Sequence, residues 1–274
     1  MTAQTALLQG TKLLEDGGIA APRLTAEVLL AHAVRHERTW LYGHPEHELA
    51  ELEWLHYGRY LHERLGGKPT QYITGRQEFY GREFRVTPDV LIPRSETEHV
   101  VEAALELARD ARRVVDVGCG SGALAVTLRL ELLAEVFATD ISQPALAVAA
   151  ENAQRLEAAV QFLACDLTGA FGDRTLDLVV SNPPYVPLAD GPGLQREVRD
   201  YEPHVALFAG PTGFEIYQRL IADSARVLRA GGWLILELGF ASRDRVLAML
   251  DGGWTRIDVR PDLAGIPRVL AVRR

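Results

Sequence analysis

Four short stretches carry side chains whose types and spacing suit chemistry on a small polar ligand. Residues Asp116 to Gly122 read D-V-G-C-G-S-G directly after a β-branched run. Glycines at 118, 120 and 122, with Cys119 and Ser121 between them, permit a sharp turn and close approach of a ligand to the main chain. The helix that follows would present unpaired N–H groups to an anionic group. The spacing is G-x-G-x-G rather than the G-x-G-x-x-G of the dinucleotide fingerprint, so a tight turn without a ligand stays open. Asp140 lies 18 residues beyond Gly122, at the end of a second apolar run. A carboxylate there can accept from both hydroxyls of an adenosine ribose, or it can belong to the cap of a helix that Ser142 would serve equally well. Cys165-Asp166-Leu167 ends a third run. Asp166 can accept from the exocyclic amine of an adenine while Leu167 packs on the ring, and a plain turn aspartate is the competing account.

The fourth stretch is L-D-L-V-V-S-N-P-P-Y-V-P, Leu176 to Pro187. Asn-Pro is a turn signal, which explains the break but neither the second proline nor Tyr185. Pro183 and Pro184 fix φ near −65° and remove two N–H donors, leaving a stiff segment rich in acceptors. The side-chain oxygen of Asn182 and the carbonyl of Pro183 can together hold both hydrogens of a planar NH2 group, with Tyr185 stacked on its plane. An amide nitrogen is a poor nucleophile and a neutral amide is not readily deprotonated near pH 7, so positioning must supply most of the catalysis. If methyl transfer makes that nitrogen tetrahedral and positive, acceptors already aimed at its hydrogens favour the transition state over the ground state.

These residues need a scaffold that brings strand ends together. From Arg112 onward, the short apolar runs RRVVDVG, EVFATD, VQFLACD, LDLVVSN and WLILELG alternate with amphipathic patterns such as SQPALAVAAENAQRLE. That rhythm predicts an α/β fold with a mostly parallel, doubly wound sheet, whose ligands sit beyond the carboxyl ends of the strands. Residues 1–75 carry helical periodicity in TALLQGTKLLED, PRLTAEVLLAHAV and ELAELEWLHYGRYLHERL, with Pro22 at a helix start and Gly17-Gly18 and Gly66-Gly67 at helix stops. They read as a small helical bundle. QEFYGREFRV, two alternating aromatic segments about Gly81, reads as a β-hairpin within a linking region 76–94, and Ser95 precedes a further helical pattern in a catalytic region 95–274.

Composition narrows the function classes. The 274 residues are 47% hydrophobic and 24% charged, as in ordinary globular chains. The longest apolar runs are too short to span a bilayer, and the N-terminus lacks a basic region followed by an apolar core, so a cytoplasmic location without membrane association is expected. Cys119 and Cys165 cannot form a disulfide framework and read as small packing residues beside the ligand. Six of the eight histidines (His32, His36, His44, His47, His56, His62) fall in the helical region without HExxH or zinc-ligand spacing, and no metal is indicated. A net charge of −8 disfavours strong binding to a polyphosphate, so direct binding of duplex DNA is not expected.

Taken together, QYITGRQEFYGREF, VLIPRSETE, DVGCGSGALA, TDIS-PAL, SNPPYV, VRDYEPHVALFAG-TG and the terminal DLAGIPRVL resemble the class I S-adenosylmethionine-dependent methyltransferases. More narrowly, they resemble the bacterial protein-(glutamine-N5) methyltransferases that modify peptide chain release factors. The resemblance covers nearly the whole chain. It implies a helical N-terminal domain that helps to bind the release factor, a hairpin, and a seven-stranded Rossmann-like catalytic domain. Carried over to matching positions, Gly118 to Gly122 and Asp140 would hold the methionine and ribose parts of S-adenosylmethionine, and Asp166 with Leu167 would flank the adenine. Asn182, Pro183, Pro184 and Tyr185 would receive the glutamine of a Gly-Gly-Gln loop. The family commonly has a glutamine near Ser242, where this chain reads ASRD. Two neighbouring readings share the same residues: methylation of a glutamine in a ribosomal protein, and methylation of adenine N6 in a nucleic acid, which on duplex DNA would need base flipping and a grip on phosphates.

Overall fold

The computed structural model describes residues 1–274, which form two compact units. The first comprises Met1–Arg76 with Gln195–Tyr201, and the second comprises Gln77–Leu194 with Glu202–Arg274.

The helical unit contains α1 (Ala3–Asp16), α2 (Pro22–Val34), α3 (Arg38–Gly43), α4 (Glu51–Leu65) and α5 (Thr70–Thr74). Thr2 caps α1 by accepting from the Thr5 amide, and Pro22 opens α2, where its missing N–H is not needed. Ala6, Leu7 and Leu14 of α1 meet Leu29, Leu30 and Ala33 of α2 and Tyr57 and Leu61 of α4 in one buried core. The three helices legible from periodicity are present. Helices α3 and α5 are six and five residues long, too short to establish a period. The 195–201 segment returns to this unit, where Glu197 accepts from Arg64 at 2.6 Å and the Tyr201 hydroxyl donates to the Gly66 carbonyl at 3.1 Å.

A two-stranded ribbon, β1 (Arg76–Phe79) and β2 (Arg82–Arg85), turned through Tyr80-Gly81, opens the second unit from its second residue, Gln77, onward. A 3₁₀ turn at Ser95–Thr97 leads into α6 (Glu98–Leu107). Then follow β3 (Arg113–Val117), α7 (Ala123–Glu131), β4 (Glu135–Asp140), α8 (Gln143–Arg155), β5 (Val160–Ala164), β6 (Leu176–Ser181) and the short β7 (Val186–Pro187). After α9 (Arg196–Tyr201), which belongs to the helical unit, come α10 (His204–Leu207), β8 (Phe208–Gly210), α11 (Glu215–Val227), β9 (Leu228–Glu237), α12 (Arg243–Leu247), β10 (Ile257–Pro261) and β11 (Pro267–Arg273).

Seven strands form one sheet in the order β10-β11-β9-β6-β3-β4-β5. The five strands from β9 to β5 are parallel, and β11 pairs antiparallel with both β9 and β10. Alternate residues bury opposite faces: Val114, Ala138, Val180 and Ile235 pack into one apolar core, and Val115, Phe137, Val179 and Leu234 into the other. Burial on both faces explains why the strands read as continuous apolar runs. From β3 the chain winds toward β4 and β5 on one side and toward β6 and β9 on the other, so its carboxyl end is the switch point at which a crevice opens. No helix is long and apolar enough to cross a membrane.

Asn152 of α8 ties the ribbon to the glycine-rich turn. Its Oδ1 accepts from the Arg85 amide at 2.7 Å, while its Nδ2 donates to the carbonyls of Arg85 and Ser121, both at 2.9 Å. The side chain is fully buried. Truncation would strand main-chain polar groups without water, so Asn152→Ala is expected to lower unfolding stability by about 2–4 kcal/mol. Urea denaturation followed by intrinsic fluorescence measures this, and an unchanged midpoint would contradict the assigned role.

Candidate functional site

The crevice is built from the ends of five parallel strands. After β3 the chain turns at Gly118, where the amides of Gly118 and Cys119 both donate to the Thr139 carbonyl, at 2.8 and 3.0 Å. These bonds pin the glycine turn to β4. Gly118 and Gly120 have φ of +71° and +53°, and a Cβ on either would project into open space rather than into protein. The turn therefore exposes bare main chain to a cavity of about 200 Å³ lined by Gly118, Gly120, Asp140, Asp166, Leu167 and Asn182 among others. A second cavity of about 60 Å³ shares Gly118, Gly120 and Asn182 with the first and is also bounded by Thr97, Asp116 and Cys119.

Asp140 and Ser142 divide two tasks that the sequence left undivided. Ser142 caps α8 by accepting from the Ala145 amide at 3.2 Å. Asp140 accepts instead from the Gly120 amide at 3.0 Å through Oδ2 and from the Ser142 amide at 2.8 Å through Oδ1. Both carboxylate oxygens are thereby fixed at the cavity wall, and each retains lone-pair capacity for a ligand hydroxyl. Leu167 adopts φ +49°, and its carbonyl accepts from the Thr139 hydroxyl at 2.9 Å. Asp166 lies at the rim, largely exposed and ion-paired with Arg219 of α11. Cys165 lines the larger cavity, whereas the buried Cys119 lines the smaller one, and burial pushes its thiol upward so that it stays protonated.

The loop after β6 supplies the opposite wall. Ser181 anchors it by donating to the Val117 carbonyl at 2.7 Å. Asn182 follows, half-buried, with Nδ2 donating to the Thr97 hydroxyl at 3.0 Å. Thr97 in turn donates to Glu237 Oε2 at 2.5 Å. One N–H of Asn182 is committed to Thr97, which turns the amide nitrogen to that side and orients the carbonyl oxygen away from it, in a side chain that lines the cavity. Pro183 and Pro184 line the same space. Tyr185 does not join them: its ring lies against Gly239, where a Cβ would stand 2.7 Å from the ring carbon Cδ2. Burial pushes its phenol up to about 12. The ring thus buttresses the loop from behind instead of facing the cavity.

Two residues at the site, Thr97 and Glu237, carry no role in the sequence argument, and a third, Asp116, stands in the quoted glycine stretch without a role of its own. Thr97 and Glu237 form the hydrogen-bonded chain behind Asn182, and burial pushes the Glu237 carboxyl up to about 7. Asp116, at the end of β3, accepts from the Ala125 amide at 3.0 Å through Oδ2, leaves Oδ1 without a hydrogen-bond partner, and is likewise pushed by burial to about 7. A carboxyl within a continuous apolar strand, as in VVDVG and LILELG, was the available signal, because such a group remains buried only for a reason.

This geometry suits a ligand with a diol, a flat aromatic ring with a polar edge and a polar chain: an acceptor pair on Asp140, an apolar wall at Leu167 with Asp166 at the rim, and main chain opened at the glycines. S-adenosylmethionine has those three parts, so the residues present fit it.

Two family models match the chain: the PrmC N-terminal domain over residues 5–75 and the methyltransferase small domain over residues 98–191. The release factor glutamine methyltransferase of Koribacter versatilis (strain Ellin345) is 46% identical, with the match covering 100% of this chain and 99% of that protein. The enzyme of the same name from Moorella thermoacetica is 44% identical, again over 100% and 99%. Among solved structures, the 16S rRNA N2 G1207 methyltransferase of T. thermophilus has a TM-score of 0.54 at 21% identity, covering 73% of this chain and 49% of that one, a likeness of fold alone. Full-length identity at this level places the chain in the release factor glutamine methyltransferase family.

Proposed function

We propose that this chain transfers a methyl group from S-adenosylmethionine to the side-chain nitrogen (N5) of the glutamine in the Gly-Gly-Gln loop of peptide chain release factors. The observation that carries this reading is the Asn182 amide, turned by Thr97 so that its oxygen is oriented away from that hydroxyl, in a side chain that lines the cavity with Gly120 and Asp140. The relatives' names favour a release factor over a ribosomal protein or an adenine.

When bound, S-adenosylmethionine would supply a methyl group activated by a positive sulfur, the S–CH3 bond electrons staying on sulfur to leave the neutral thioether S-adenosylhomocysteine. Asp140 would accept from its ribose hydroxyls, Leu167 and Asp166 would border its adenine, and the main chain from Gly118 to Gly122, with Cys119 and Ser121, would border its methionine portion. Asn182 Oδ1 and the Pro183 carbonyl accept the two hydrogens of the substrate carboxamide, turning its nitrogen toward the methyl. Pro184 stiffens that grip, and Tyr185 supports it from behind. As the nitrogen becomes tetrahedral and gains positive charge, both acceptors bind its hydrogens more strongly, which lowers the barrier without an ionised base. The helical region 1–75 serves to recognise the folded release factor, and the enzyme works in the cytoplasm, where translation uses that substrate. No metal enters this scheme.

The test is transfer of labelled methyl groups to release factor, to its loop Gln→Ala variant, to ribosomal protein and to DNA. Label that requires the loop glutamine is expected, and label on the variant would refute the assignment. Asn182→Ala is expected to lower turnover by roughly 10²-fold while cofactor affinity changes little. Wild-type turnover in that variant would remove the acceptor role.

Asp140→Ala should act on the other half of the site. Losing two charge-assisted hydrogen bonds to the ribose is expected to weaken cofactor binding by roughly 10- to 100-fold. Titration calorimetry reads this directly, and an unchanged dissociation constant would overturn the ribose assignment.

A further inference from the structure

We propose that Thr97 and Glu237 are positioning residues that fix the polarity of the Asn182 amide, so that its oxygen and not its nitrogen meets the substrate. The inference deepens the glutamine-methylation reading and rests on it. It follows from the proton count along the hydrogen-bonded chain. An ionised carboxylate only accepts, so the single proton of the Thr97 hydroxyl must point at Glu237. The lone pairs of that hydroxyl then face Asn182 and select its NH2 group. The reverse orientation would press the Asn182 oxygen against those lone pairs. Thr97 is 5% exposed and Glu237 2% exposed, so bulk water does not offer either group a competing partner.

The same chain makes the site sensitive to protonation. A protonated Glu237 can donate to Thr97, whose own proton is then free to donate to the Asn182 oxygen. The amide turns over, and a donor meets the substrate NH2 where an acceptor is required. Besides Thr97, the groups that act on Glu237 are Arg94 and Glu96 from the turn before α6, Arg268 from β11, Tyr185 from the loop after β6, and Tyr217 from α11. Arg94 is paired with Glu202 at 2.6 Å and Arg268 with Asp262 at 3.1 Å, which divides their attraction. Burial dominates and raises the Glu237 carboxyl to about 7. Turnover should therefore fall as pH drops through about 7 and rise to a plateau above it. Asp116 lies in the same crevice with a carboxyl also raised to about 7, so the limb must be assigned by substitution.

The decisive variants are Thr97→Val, which keeps the shape and removes the hydroxyl, Thr97→Ser, which restores the hydroxyl, and Glu237→Gln. Hydrogen exchange of the Asn182 side-chain NH2, followed by ¹⁵N NMR, reads the chain without any turnover. Protection in the wild type and in Thr97→Ser, lost in Thr97→Val, is expected. In kinetics, Thr97→Val should lower kcat about tenfold or more with KM and cofactor affinity nearly unchanged, and Thr97→Ser should recover most of it. Glu237→Gln should flatten the limb near pH 7. Placed in an Asn182→Ala background, Thr97→Val should cost nothing further, because the two act as one unit.

The proposal is overturned by wild-type kcat in folded Thr97→Val, by multiplicative losses in the double variant, or by an unaltered limb in Glu237→Gln. If Thr97→Val melts below the assay temperature, the Glu237→Gln pH profile decides. An enzyme whose Asn182 NH2 is protected through Thr97 but which leaves the release factor loop unlabelled would instead defeat the glutamine reading and leave the positioning chain standing.

Discussion

In the reading proposed above, the site depends on one hydrogen bond, from the amide nitrogen of Asn182 to the hydroxyl of Thr97. Asparagine is ambivalent: one end of its amide donates and the other accepts, and the two ends are nearly the same size. A pocket that grasps an NH2 group by its hydrogens, as proposed here, needs acceptors alone. Occupying the donor end from behind converts an ambivalent side chain into a single-purpose one. The two prolines that follow have no N–H at all, so the whole segment from Asn182 to Pro184 presents carbonyl oxygens in a stiff frame.

Sheet topology makes that bond possible. Strands β3, β6 and β9 are adjacent and parallel, so Asp116, Ser181 and Glu237 reach the same edge from three neighbouring strands. Ser181 is spent on the Val117 carbonyl, which fixes where the next residue begins. The two flanking carboxyls are desolvated, and each is raised to about 7. Burying an acid in this way opposes folding, because the unfolded carboxyl ionises near 4 while the folded one resists ionisation until about 7. Stability contributed at these positions is therefore greatest in acid and declines as pH rises through that interval. The apolar cores on both faces of the sheet carry this cost, and polar groups set by hydrogen bonding at strand ends are what they support.

What the sequence disclosed and what it concealed differ by distance along the chain. The glycine turn, Asp140, Asp166 and the Asn-Pro-Pro-Tyr segment each follow an apolar run directly, and local punctuation of that kind is readable without tertiary information. The five parallel strands were legible for the same reason. Thr97 and Asn182 are 85 residues apart, and Thr97 and Glu237 are 140 apart, so no periodicity or spacing relates them. The return of residues 195–201 to the helical unit is hidden likewise, since Arg64 and Glu197 are 133 residues apart. Tyr185 illustrates a subtler limit. Its place beside the prolines suggested a stacking surface, but the absence of a side chain at Gly239, 54 positions later, is what decides where the ring can go.

The same arrangement bears on where the proton goes. Tyr185, pushed up to about 12, is a neutral phenol near pH 7 and lies behind the loop. Glu237 is occupied by Thr97, and one oxygen of Asp116 by the Ala125 amide. In the proposed reading the acceptors offered to the substrate nitrogen are the amide carbonyls of Asn182 and Pro183, which are too weak to deprotonate it beforehand. On that reading the nitrogen therefore attacks while still carrying both hydrogens, and the surplus proton passes to solvent after the new bond has made it acidic. A site built on this principle gains its rate from orientation and from the growing charge on the held hydrogens. It is accordingly sensitive to any change that turns one amide through half a rotation.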